Sequence, residues 1–139
     1  MAVKAHILGP GTLRLGETGT EVEFSAQATN IRLSPSANEE DGIPVLSGEE
    51  VDGDESIDWT LGGSLLQSFD REGLIHWCYT NRLKTVQFEF IPSKEESDYG
   101  WRGLVKVLPL EVGGDVKKKN TTNFEFKCKG EPVPFDVPA

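Results

Sequence analysis

Thr122-Asn123-Phe124-Glu125-Phe126-Lys127-Cys128 decides the fold of this chain. Apolar and polar residues alternate without a break, and a period of two belongs to a strand with one dry face and one wet face. The same reading extends outward. Val86, Phe88 and Phe90 alternate with Gln87 and Glu89; Val105 and Val107 flank Lys106; Ile57, Trp59 and Leu61 alternate with Asp58 and Thr60. Upstream, Val22, Phe24, Ala26 and Ala28 share one face of a predicted strand, with Glu23, Ser25, Gln27 and Thr29 on the other. Ile31 and Leu33 then fall out of phase, which predicts a bulge near Asn30. Gly62-Gly63, Pro92-Ser93, Gly113-Gly114 and Gly130 read as the turns between these runs. Clean alternation predicts antiparallel sheets.

One segment departs from the pattern. Phe69, Gly73, Leu74, Trp77, Cys78 and Asn81 recur at helical spacing, so a helix is predicted over 69–81. Ser68 is its expected N-cap, with Asp70 and Glu72 in the first turn. One helix among about six strands makes the predicted class mainly β: an antiparallel β-sandwich or barrel with one flanking α-helix. The expected core is Phe24, Trp59, Leu61, Phe69, Leu74, Trp77, Phe88, Phe90, Phe124 and Phe126. The outer helix face, with Arg71, Ile75, His76 and Tyr79, is left for a neighbour.

With 139 residues the chain fits a single domain, 1–139. Its net charge of −9 argues against a generic phosphate binder, which needs cations to release counterions. The charge is local. Between Arg32 and Arg71 there is no Lys or Arg, while Glu39, Glu40, Asp41, Glu49, Glu50, Asp52, Asp54, Glu55, Asp58 and Asp70 all fall there. The interval 34–55 also carries Pro35, Gly42, Pro44, Gly48 and Gly53, a composition that reads as a long acidic loop. A loop that long in a compact domain points to function or disorder. Its apolar island, Ile43-Pro44-Val45-Leu46, suits an arm that orders on a partner.

Signals for chemistry are weak. His6 and His76 form no nucleophile–base set by spacing, and Cys78 and Cys128 read as small apolar core residues rather than a disulfide or metal pair. No catalytic residue, cofactor or metal is predicted. Gly9-Pro10-Gly11-Thr12 lacks the ending of a phosphate loop and reads as a turn. Asp52, Asp54, Ser56 and Asp58 take alternate oxygen positions of a calcium loop, but Ile57 and Gly63 replace its glycine and its glutamate. Asn120-Thr121-Thr122 is a formal glycosylation sequon, expected to be idle because the N-terminus carries no secretion signal. No run of apolar residues is long enough to span a membrane. Lys117-Lys118-Lys119 reads as a solvated hairpin tip.

The order of these motifs is nonetheless specific. Trp59-Thr60-Leu61-Gly62-Gly63-Ser64-Leu65-Leu66-Gln67-Ser68 leads into Gly73-Leu74-Ile75-His76-Trp77, then Val86-Gln87-Phe88-Glu89-Phe90-Ile91-Pro92-Ser93. Leu104-Val105-Lys106-Val107-Leu108-Pro109-Leu110 runs to Gly113-Gly114-Asp115-Val116, and Asn123 to Gly130 closes on Pro132-Val133-Pro134. Over about residues 20–139 the series resembles the major tail tube proteins of bacteriophages with long, non-contractile tails, a superfamily that includes the type VI secretion tube protein. Some of those proteins carry a further immunoglobulin-like domain, for which this chain ends too soon.

The resemblance implies a tail tube domain whose copies form homo-hexameric rings that stack into a tube, with tape-measure, terminator and distal tail proteins as further partners. DNA passes through without specific binding, and no membrane partner is implied. Its place is the virion tail, reached from the host cytoplasm. Glu23, Gln27, Gln87 and Glu89 are the expected bore-facing residues. The expected assembly arm is Ile43, Pro44, Val45, Leu46, Glu49, Glu50, Asp52 and Asp54, with the segment from Ala2 to Leu15 as a second contact. A tail terminator or connector forming a single ring is one alternative. A calcium-dependent carbohydrate-binding sandwich using Asp52, Asp54 and Asp58 is the other.

Overall fold

A computed structural model describes residues 3–17, 20–39, 41–53 and 55–137. The strands are β1 (Thr12–Leu15), β2 (Val22–Glu23), β3 (Ala28–Glu39), β4 (Ile43–Pro44), β5 (Glu50–Val51) and β6 (Glu55–Leu66). Helix α1 (Leu74–Thr80) follows, then β7 (Thr85–Ile91), β8 (Tyr99–Lys106), β9 (Thr121–Lys127) and β10 (Val133–Asp136). A five-stranded sheet, in the order β10-β8-β7-β1-β2, faces a three-stranded sheet, β3-β6-β9. All pairings are antiparallel. The predicted class, a β-sandwich with one flanking helix, is the observed one.

The alternation predicts the inward faces. Val86, Phe88 and Phe90 of β7 are buried against Phe124 and Phe126 of β9, with Leu61 and Leu65 of β6 between the same layers. Leu13 and Leu15 of β1, a strand too short to stand out in the sequence, complete the floor. Phe24 is the hub: its ring meets those of Trp77, Phe124 and Phe126 edge-on at 5.8, 5.6 and 6.3 Å. At one side the two sheets join, where Cys128 bridges to Val105 and Lys129 N–H donates to the Leu104 carbonyl at 2.7 Å.

Four expectations need correction. First, the strand predicted over 22–29 is two strands. The Phe24 carbonyl accepts from Gln27 N–H and Ala28 N–H, a turn that carries the chain from one sheet to the other. Period two survives a tight turn when the residues on either side serve two facing sheets. Second, Gly62-Gly63 is no turn; it lies mid-strand in β6. The predicted bulge, a register shift between Ala28 and Asn30, pushes the Asn30 carbonyl against Gly63, where a Cβ would collide with it.

Third, the helix starts five residues late. Gly73 is its N-cap and makes no side-chain cap, no acid lies in the first turn, and Phe69 is 78% exposed instead of buried. Gln67 holds the approach extended: its amide donates to the Gly113 carbonyl at 2.8 Å and accepts from Gly113 N–H at 2.9 Å. Leu74 and Cys78 are buried as expected, while Trp77 and Trp59 are half-buried. Fourth, the interval 34–55 is not a single long loop: 11 of its 20 described residues are in strands. β3 and β6 continue their pairing from Leu33↔Leu61 to Glu39↔Glu55. Its polar composition hides the pairing, because a ribbon wet on both faces needs no apolar alternation.

Candidate assembly surfaces

The ribbon made by 34–39 and 55–58 is exposed on both faces, so it leaves the sandwich as an arm. At its end β4 pairs with β5 through Ile43↔Val51 and Pro44↔Glu50, and Val45 N–H donates to the Glu49 carbonyl at 3.0 Å. Gly48, at φ +91°, turns the tip. The predicted apolar island is therefore a small hairpin with its side chains outward. Ile43 is 65% exposed and Leu46 fully so, with Val45 and Val51 also exposed. Asp41, Glu49, Glu50 and Asp52 surround them, all exposed. Asp54, the eighth predicted arm residue, lies outside the described residues.

Two features of the arm are unfavourable in isolation. Large apolar side chains meet water, and Glu39 sits directly opposite Glu55, a like-charge pair across the ladder. Asn38 offsets part of this by donating to the Asp58 carboxylate. That use of Asp58 does not favour a calcium loop. Among the described residues, no three His, Cys, Asp or Glu side chains are grouped to hold a metal.

The candidate bore residues divide. Glu23, Gln87 and Glu89 share the outer face of the five-stranded sheet, whereas Gln27 is half-buried in the β2–β3 turn, away from them. Register places Glu23, Arg14, Glu89 and Arg102 in one row across β2, β1, β7 and β8. Arg14 Nε reaches Glu23 Oε2 at 3.3 Å, and the Arg102 guanidinium lies over the Phe135 ring, 4.2 Å from its centroid. The face alternates in sign rather than being uniformly acidic. Arg14 and Arg102 escaped the sequence reading; Leu13-Arg14-Leu15 carried the only signal, a three-residue alternation.

The opposite end of the molecule is basic and apolar. Residues 113–120 form a loop whose turn includes Lys117, at φ +65°. Asn120 organises it: its side-chain oxygen accepts from Asp115 N–H at 3.2 Å, and its amide donates to the Asp115 carbonyl at 2.9 Å. Lys117, Lys118 and Lys119 are exposed, as predicted. Beside them, Leu66, Phe69 and Gly113 help line a cavity of about 550 Å³. On the neighbouring side Phe69, Ile75, Tyr79 and Val112 line a second groove against the outer face of α1.

Other expected sites are less organised. His76 is exposed on α1, and His6 lies beside Trp101 and Ser97 at the rim of a shallow cleft. The N-terminal segment, of which Ala2 lies outside the described residues, is tied to the body by Ile7 N–H donating to Glu96 Oε2 at 2.9 Å. Both thiols are raised: burial pushes Cys78 up to about 12 and Cys128 up to about 11, so neither is a ready nucleophile. The Trp59 ring of β6 and the Trp101 ring of β8 pack with their centroids 5.7 Å apart.

No family model and no curated protein matches the chain. Solved structures do. A chain in the virion of a native gene transfer agent particle superposes with a TM-score of 0.59 at 14% identity, covering 88% of this chain and 95% of that one. A chain in the tail of an empty gene transfer agent particle, refined with C6 symmetry, superposes with a TM-score of 0.60 at 13% identity, covering 88% of this chain and 92% of that one. At these identities the likeness shows a shared fold, carried almost from end to end of all three chains.

Proposed function

We propose that this chain is the repeating subunit of a phage-like tail tube, in which six copies close a ring and rings stack into a conduit for DNA. The observation that carries the reading is the near-complete sharing of its fold with a chain of a C6-symmetric tail. The ordered motif series supports it independently. The arm supports it too: its tip of Ile43, Val45, Leu46 and Val51 has no cover within one copy. A second copy provides one.

In this reading the protein resides in the virion tail, and tape-measure, terminator and distal tail proteins meet the tube inside it and at its ends. The outer face bearing Glu23, Gln87 and Glu89 lines the bore. Glu23 engages Arg14 and the Phe135 ring covers the Arg102 guanidinium, so phosphates gain little by stopping there. Short edge strands such as β2 and β10 are relieved by pairing with the next subunit of the ring.

Negative-stain electron microscopy of the purified chain tests the reading. Hollow filaments are expected from the unaltered protein, and folded monomers from the Ile43→Asp, Leu46→Asp double variant. Isolated rings that never stack assign the chain to a single-ring tail component instead. Monomers alone from the unaltered protein overturn the tube reading.

A further inference from the structure

The tip of the arm and the lysine-rimmed cavity lie at opposite ends of one strand. β6 has 12 residues, begins at Glu55 beside the arm and ends at Leu66 in the cavity wall. At roughly 3.3 Å per residue those ends are about 36 Å apart, so one copy cannot insert its own tip into its own cavity. The two surfaces are nevertheless complementary. The tip presents Ile43, Val45 and Leu46 among Glu49, Glu50 and Asp52; the cavity presents Leu66 and Phe69 beside Lys117, Lys118 and Lys119, three cations against the single acid Asp115.

Other concave places suit the tip less well. The cleft beside His6 is rimmed by Glu96 and Asp98, like charges to the arm. The groove along α1 contains Asp70 and neither lysine nor arginine. The lysine loop is also preformed, since Asn120 and Gln67 hold it through backbone contacts, so little ordering is required when a partner arrives.

We propose that the acidic, apolar arm tip of one copy seats in the Leu66–Phe69 cavity of another, with the three lysines meeting its carboxylates. This rests on the self-assembling reading above and names the surface that receives the arm. A contact between two different patches is heterologous: each copy keeps a free tip at one end and a free cavity at the other. Made between stacked rings, such a contact repeats along the axis and gives the polymer a direction.

Charge exchange tests the pairing. One variant carries Glu49→Lys, Glu50→Lys and Asp52→Lys; a second carries Lys117→Glu, Lys118→Glu and Lys119→Glu. All six side chains are exposed, so both variants are expected to fold, which circular dichroism checks. Alone, each is expected to sediment as monomers or single rings. Mixed in equal amounts they are expected to copolymerise, because every tip then meets a cavity of opposite charge. Polymerisation of the lysine-loop variant alone, or two folded variants that stay apart on mixing, overturns the pairing.

A second measurement separates this from failure of the tube reading. A Leu46→Cys chain is mixed with a Phe69→Cys chain under mild oxidation. A mixed disulfide several-fold in excess of either homodimer supports the pairing even if long tubes never form. A mixed disulfide at or below about twice either homodimer, the ratio random collisions give, overturns it while leaving the tube reading standing.

Discussion

Strand β6 belongs to two different physical regimes. From Leu61 to Leu65 it lies between β3 and β9, with its apolar side chains buried. From Glu55 to Asp58 it pairs only with β3, with its side chains exposed. The backbone ladder is the same in both halves; the difference is what covers it. In the body, burial of large apolar side chains supplies the stability, on the order of 1.5–3 kcal/mol for each side chain fully removed from water. In the arm, little beyond the ladder and a few polar contacts holds the ribbon, and its apolar tip gains nothing from water. A hairpin of two strands with no dry face is marginal by itself. The lesson is a division of labour: the body is held by its own buried side chains, whereas the apolar tip of the arm finds no cover within the chain.

The sharpest way to break the contrast is to hollow the body. Phe24→Ala removes the ring that meets Trp77, Phe124 and Phe126, and is expected to cost about 3–5 kcal/mol in urea unfolding of the unassembled chain. A loss under 1 kcal/mol contradicts its place as the hub. Next in size, Gly63→Ala forces a Cβ onto the Asn30 carbonyl and is expected to cost roughly 1–3 kcal/mol, while Gly48→Ala in the arm tip, where a Cβ meets nothing, is expected to cost less. Equal losses at the two glycines would erase the distinction between the regions.

Alkaline pH probes the same boundary more gently. The unfolded chain ionises Cys78 near its ordinary value of 9.0, whereas the folded chain holds the thiol protonated to about 12. The unfolded state therefore loses its proton first, and stability falls as pH rises between those values. The slope contributed by Cys78 approaches about 1.4 kcal/mol per pH unit. Unfolding measured from pH 8 to 11 is expected to show a shallower decline in Cys78→Ala, and no change of slope when the arm tip is altered. The smallest effect sharpens the comparison most. Ile43→Asp with Leu46→Asp is expected to change the stability of the unassembled chain by less than about 0.5 kcal/mol, because both side chains are already in water. A larger loss means the tip packs on its own body.

Several elements were legible without coordinates. Phe124, Phe126, Phe88, Phe90, Leu61 and Leu74 are inward because alternation and helical spacing are local signals. The bulge near Asn30 announced itself as a slip in that phase. The arm's acids and its apolar island were also visible, although as a loop. The cavity beside the lysines was not. It joins Leu66 and Phe69 to residues some fifty positions later, brought together by the Gln67 contacts with Gly113, Asn120 and Thr121 and by the Leu66↔Thr121 pairing.

Side-chain periodicity, charge segregation and the order of motifs were determined by the sequence itself. They require only near neighbours along the chain, and they established a mainly β molecule with one helix and an acidic interval. Tertiary structure alone decided which strands are partners. It turned an apparent loop into a paired ribbon, placed Gly62-Gly63 inside a strand, exposed Phe69 and set the arm and the lysine cavity at opposite ends of β6. The physical reason is that a ladder satisfies backbone groups whatever the side chains are. Pairing across long separations therefore leaves little trace in composition and becomes visible only when the strands are in place.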